Sequence, residues 1–127
     1  MNVVDSSGWV EYFVKGTNAK FFIPPVQDIE NLLVPSICIY EVFKRLTLDM
    51  GEESALQAVG IMSYGRIIEL DRKIAIDAAQ ISLALKLAMA DSIILATARA
   101  YDATLWTQDE HFKDIEGVKY KQKKAKK

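Results

Sequence analysis

Hydrophobic positions along the chain switch repeatedly between two periods. Short β-branched runs alternate with segments whose apolar residues recur every three or four positions, the pattern of a parallel sheet covered by helices. A first strand is expected at Asn2-Val3-Val4, ending at Asp5. The helix after it takes Ser6 or Ser7 as its cap, turns Trp9, Tyr12 and Phe13 to one face, and breaks at Gly16. Pro24-Pro25 is expected to open a short second helix. The strand Leu32-Leu33-Val34 stops at Pro35-Ser36, and the following helix presents Ile39, Val42, Phe43, Leu46 and Met50 before Gly51 ends it. A helix over roughly 52–63 leads to a strand over 66–70, and residues 72–88 read as a long helix with Ile74, Ala78, Ile81 and Leu85 in a stripe. A further helix begins near Asp91, with Ile94, Ala98 and Tyr101 inward. The strand Thr104-Leu105-Trp106 then runs into Thr107-Gln108-Asp109, and a helical turn and a last strand near Val118-Lys119-Tyr120 follow. The expected fold is α/β, three layers with a central, mostly parallel sheet.

In such folds the functional site lies beyond the carboxyl ends of the strands. Asp5 falls at the tip of the first strand and Asp109 just past the tip of Leu105-Trp106, while Glu41 and Asp91 fall early in helices. Each has apolar sequence neighbours, and an acid among hydrophobes needs a partner. Structural roles are available to all four. Asp5, Asp91 and Asp109 suit helix N-termini, and Glu41 is spaced to pair with Lys44 or Arg45. However, no lysine or arginine lies within two positions of Asp5, Asp91 or Asp109. Clustered acids without cations repel, which makes a divalent cation the natural occupant. Carboxylate oxygens suit Mg²⁺ or Mn²⁺, as one ion or two.

Composition narrows the chemistry further. With 127 residues, half of them hydrophobic, the chain suits one domain, expected over 1–120, with a lysine-rich tail over 121–127 expected to be disordered. Cys38 is the only cysteine, so a disulfide within the chain and a Cys-rich zinc site are excluded, and it is expected in the core. His111 is the only histidine, which disfavours Ser-His-Asp and Cys-His catalysis and leaves carboxylates to act. His111 is expected in a polar surface turn, Trp9 in the core, and Glu110 and Asp114 in solvent. No apolar run reaches membrane-span length and no signal segment opens the chain, so a cytoplasmic protein is expected. The net charge of −1 conceals an asymmetry: residues 119–127 hold six lysines, leaving ten Lys and Arg against seventeen Asp and Glu elsewhere, or −7. A basic end on an acidic body suits contact with a polyanion, although a solubilising tail explains it equally.

Three segments carry a family resemblance. The opening VVDSSGWVEYF, then VPSICIYEVFKRL, then LKLAMADSIILATARAYDATLWTQDEHF, resemble PIN-domain ribonucleases, and most closely the stand-alone VapC-type toxins of toxin–antitoxin pairs, from residue 2 to about 120. The resemblance implies a PIN-like α/β/α fold and a metal site of Asp5, Glu41, Asp91 and Asp109, with Ser7 and Thr107 as hydroxyl helpers. It also implies Mg²⁺- or Mn²⁺-dependent endonucleolytic cleavage of RNA, a homodimer, and inhibition by a cognate antitoxin protein. One departure is the stretch Lys86-Leu87-Ala88-Met89-Ala90, which lacks the glycine or proline often found before the third acid. Arg45, Arg99 and Lys44 are candidates for neutralising RNA phosphates. A haloacid-dehalogenase-like phosphatase would need Asp-x-Asp where the chain has Asp5-Ser6-Ser7, and a receiver domain would need an acceptor Asp ending a middle strand. A catalytically silent binding module with the same acids remains an alternative.

Overall fold

The computed structural model describes residues 1–123; the expected disordered tail lies outside the described residues from 124 onward. Among the described residues, five strands, β1 (Asn2–Val4), β2 (Leu32–Pro35), β3 (Arg66–Ile68), β4 (Thr104–Thr107) and β5 (Val118–Tyr120), form one sheet in the order β3-β2-β1-β4-β5. Every pairing is parallel, so the sheet is wholly rather than mostly parallel. Six helices cover it in a three-layer α/β/α arrangement: α1 (Ser6–Phe13), α2 (Ala19–Gln27), α3 (Ser36–Met50), α4 (Glu52–Met62), α5 (Arg72–Leu85) and α6 (Met89–Ala100).

The central strands read as uninterrupted apolar runs because both of their faces are covered. Val3, Val4, Leu33, Val34 and Leu105 are all buried in one continuous core. The two edge strands have three residues each and carry the exposed Arg66 and Lys119, short charged edges that resist pairing with another chain. From β1 the chain adds β2 and β3 on one side, then β4 and β5 on the other. The strand order therefore reverses beside β1, and a crevice opens where the carboxyl ends of β1 and β4 diverge.

Local structure departs from expectation in several places. Asp5, not Ser6 or Ser7, caps α1: its Oδ1 accepts the Gly8 N–H at 2.8 Å. Gly8 is required at that turn, since a Cβ there would lie 2.5 Å from Phe22 Cε1 and 2.8 Å from Val4 Cγ1. Pro24 and Pro25 sit inside α2 instead of opening it. The two prolines forgo only two helical hydrogen bonds, and burial of Phe22, Pro25 and Val26 holds the helix regardless. In α3 the buried stripe is Cys38, Val42 and Leu46, while Met50 at the helix end is half exposed.

The helix expected over 72–88 ends at Leu85, with Lys86 in the left-handed region at φ 57°. The Ser82 hydroxyl donates to the Leu87 carbonyl at 2.7 Å and the Ser92 hydroxyl reaches it at 3.3 Å. The loop lacking glycine and proline is thus held by side chains, and it delivers α6 two residues ahead of Asp91. Among the described residues no single helix is long and apolar enough to cross a membrane.

Candidate metal centre

Register along β1 and β4 builds the middle of the site. Val4 pairs with Trp106, and the Asp5 N–H donates to the Trp106 carbonyl at 3.1 Å, so Asp5 and Thr107 emerge side by side at the crevice. The Thr107 hydroxyl donates to Asp5 Oδ2 at 2.6 Å and itself accepts the Asp109 N–H at 2.9 Å. The Ser7 hydroxyl lies 2.9 and 3.0 Å from the two Asp5 oxygens. Two hydroxyls and the Gly8 N–H therefore orient the Asp5 carboxylate, and Thr107 ties it to Asp109.

Asp5 is 2% exposed. Burial pushes its carboxyl up from 3.8 to about 7, against the pull of the Thr107, Gly8 and Ser7 hydrogen bonds and with a further push from the Asp109 charge. Asp91, on the first turn of α6, is half-buried. Burial, then the charges of Asp109 and Glu41, raise its carboxyl to about 6, partly offset by His111. Asp91 thus feels the charges of both Asp109 and Glu41 at the mouth of the crevice.

Glu41 projects from the second turn of α3. Arg45 turns away to Asp49 at 2.9 Å and Lys44 lies over the Tyr40 ring, so neither expected partner reaches it. Instead the Ser6 hydroxyl donates to Glu41 Oε1 at 2.6 Å. One dipeptide, Ser6-Ser7, therefore steadies two acids from different elements.

The tightest potential ligand group is not the expected quartet. Asp91, Asp109 and His111 offer ligand atoms within 4.8 Å of one another, and the Asp5 and Glu41 carboxylates lie outside that group. His111 Nδ1 lies 3.2 Å from Asp109 Oδ1 and 3.7 Å from Asp91 Oδ2. His111 is on the surface, as expected, but its contact with two acids was not foreseen. A histidine two positions after an acid in a short turn is the signal that pointed to it. Asp109 also caps that turn, Glu110–Phe112, by accepting the His111 N–H at 2.9 Å.

Trp9 and Cys38 are core residues, and Glu110 and Asp114 are exposed. Burial, Asp5, Glu41 and Asp91 all push the Cys38 thiol up, which makes it inert at the back of the site. The cleft beside Asp109 is lined by Ser7, Gln108, Glu110, Tyr120, Gln122 and Lys123, and none of Lys44, Arg45 and Arg99 belongs to it.

The donor set fits a hard divalent cation. Among the described residues no lysine or arginine forms an ion pair with any of the four acids, and the mutual repulsion raising Asp91 is what a cation would relieve. Asp5, Glu41, Asp91 and Asp109 supply carboxylate oxygens, with His111 adjacent.

Comparison with known proteins places this geometry. A search of curated proteins found no match. Among solved structures, a toxin–antitoxin complex from Klebsiella pneumoniae is similar at TM-score 0.78 and 24% identity, covering 93% of this chain and 95% of that one. VapC20 of Mycobacterium tuberculosis, described as a Sarcin-Ricin loop cleaving toxin, is similar at 0.77 and 13% identity over 91% and 95%. VapBC2 from Rickettsia felis, bound to a DNA fragment from its promoter, is similar at 0.74 and 18% identity over 95% and 97%. These likenesses concern the fold. The sequence itself matches the PIN domain over residues 3–118, from the first strand to the last. On the strength of that match, the chain belongs to the PIN domain family.

Proposed function

We propose that this protein is a Mg²⁺- or Mn²⁺-dependent endoribonuclease, acting in the cytoplasm as the toxin of a toxin–antitoxin pair. The observation that carries the proposal is the convergence of carboxylates at the strand-order reversal: Asp91 and Asp109 offer ligand atoms within 4.8 Å of one another, the Asp109 charge raises the proton affinity of both Asp5 and Asp91, and none of these acids has a lysine or arginine partner among the described residues. Asp5, Glu41, Asp91 and Asp109 would hold the cation. When bound, it would supply Lewis acidity toward a phosphodiester and make water a stronger nucleophile at neutral pH.

The chain's own residues orient these groups. Thr107 and Ser7 fix the rotation of the Asp5 carboxylate, and Ser6 fixes that of Glu41. The Thr107 hydroxyl bonds both the Asp5 carboxylate and the Asp109 N–H, so one side chain links the first and last acids. Val4, the residue before Asp5, and Cys38, whose thiol feels the Asp5 charge, are fully buried and keep bulk water off one side of the crevice. The toxin assignment draws on the structural neighbours, several of which are described as toxin–antitoxin complexes. A homodimer and a cognate antitoxin partner belong to the same proposal.

The test is cleavage of single-stranded RNA by the purified chain with Mg²⁺ or Mn²⁺. Loss of cleavage on adding EDTA, and in Asp91→Asn with its circular dichroism unchanged, is expected. Cleavage that survives both would end the proposal, and hydrolysis of a phosphomonoester in place of RNA would favour a phosphatase.

A further inference from the structure

The C-terminal segment leaves the sheet beside the acids and is fastened there. The Lys121 N–H donates to the Thr107 carbonyl at 3.0 Å, carrying the β4–β5 pairing one residue past Tyr120. Asn18, in the loop between α1 and α2, donates from Nδ2 to the Gln122 carbonyl at 3.0 Å and to Gln108 Oε1 at 3.1 Å. Asn18 is 2% exposed, and its own N–H donates to the buried Glu11 carboxylate at 2.8 Å. Gly16 lets the loop close, since a Cβ there would collide with that carboxylate. Buried polar groups are costly, so committing Glu11, Asn18 and Gln108 to this clamp fixes where residues 121–123 run.

They run along a cleft of about 380 Å³. Its lining includes Ser7, Asp109 and Glu110 together with Tyr120, Gln122 and Lys123. Lys119 is engaged elsewhere, with its ammonium 4.5 Å from the centre of the Trp106 ring. Outside residues 119–127 the chain carries a charge of −7, so a polyanion approaching the acids meets repulsion unless a cation stands beside them.

We propose that Lys123 and Tyr120 form a nucleotide subsite of the RNA groove. Lys123 takes the backbone phosphate adjoining the one at the acids, Tyr120 stacks on the neighbouring base, and Asn18 is the positioning residue that holds both over the site. The subsite rests on the nuclease reading of the acids for its meaning, and its test is separable from that reading.

The full chain is titrated against a short fluorescein-labelled single-stranded RNA in EDTA over a series of KCl concentrations, with anisotropy as the readout. Lys123→Gln is expected to weaken binding about three- to tenfold at low salt and to reduce the slope of log affinity against log salt by about 0.7. Lys73→Gln, in the Asp77 pair on α5, is expected to change neither. Asn18→Ala keeps every lysine yet should reproduce the loss, and adding Lys123→Gln to it should cost nothing further. Lys123 is exposed, so its variant carries the test even if Asn18→Ala does not fold. Binding by Lys123→Gln equal to wild type in affinity and slope overturns the subsite. If wild type cleaves RNA with Mg²⁺ while Lys123→Gln binds normally, only the subsite fails. If binding depends on Lys123 and no cleavage occurs, the subsite stands and the nuclease reading fails.

Discussion

Acids on the outer helical faces and acids at the sheet mouth are treated in opposite ways. Asp49 and Asp77 each have a cation four residues earlier, Arg45 at 2.9 Å and Lys73 at 2.8 Å, in exposed pairs along one helix. Asp5 and Asp91 have no such partner. Asp5 is held by two hydroxyls and a backbone N–H, and Asp91 faces two other acids and a histidine. Hydroxyls and amides orient a carboxylate without cancelling its charge. Asp49 and Asp77 are therefore neutral as pairs, whereas the mouth of the crevice gathers carboxylates with no lysine or arginine partner among the described residues, and protonation or a bound cation would relieve their repulsion.

The largest effect that would break this contrast is on activity. Asp91→Asn is expected to lower the Mg²⁺-dependent RNA cleavage rate about a thousandfold, or about 4 kcal/mol. Asp49→Asn should stay within about twofold, because that acid touches only Arg45. Comparable losses in both variants, in single-turnover assays, would erase the distinction.

Next comes the pH dependence of stability in the cation-free protein. Because Asp5 has its carboxyl raised from 3.8 to about 7 on folding, its contribution is complete below about pH 4 and is lost as pH rises through 7. The unfolding free energy of the EDTA-treated chain, from urea titrations, should lose on the order of 3–4 kcal/mol from Asp5 between pH 4 and 8. Asp5→Asn should flatten that slope, and Mg²⁺ at pH 7.5 should recover part of the loss by binding the folded state.

Removing an orienting hydroxyl is a smaller change. Thr107→Val takes the donor from Asp5 Oδ2 and the acceptor from the Asp109 N–H. Cleavage should drop about 10- to 100-fold, with the apparent Mg²⁺ requirement raised, as read from metal titrations. Smallest of all is Arg45→Gln, which breaks an exposed pair and should shift stability by less than about 0.5 kcal/mol in urea unfolding.

Much of the site was legible before any tertiary information. The four candidate acids stand out because they fall where strands end or early in helices, and three of them, Asp5, Asp91 and Asp109, have no lysine or arginine within two positions; both features are local. The β1 and β4 tips fall where the apolar runs stop, so Asp5 and Asp109 were placed correctly. Misreadings arose where burial overrode local preference. Pro24 and Pro25 have the chemistry of a helix start, yet packing of Phe22 and Val26 carries them inside α2. The structural alternative for Glu41, pairing with Lys44 or Arg45, does not form, and the Ser6 hydroxyl, 35 positions away, donates to it instead.

By itself the sequence determined the period of most elements, the carboxylate-rich character of the candidate site and the uneven spread of charge, since each depends only on residue type and spacing. Tertiary structure alone decided who touches whom. Asp5 meets Thr107 across 102 positions, and Asn18 meets Gln122 across 104, through the register of parallel strands. It also decided that His111, and not Asp5 or Glu41, completes the closest group with Asp91 and Asp109. The reason is geometric: a hydrogen bond needs about 3 Å and a defined angle, and only the packed sheet fixes both between residues so distant in the chain.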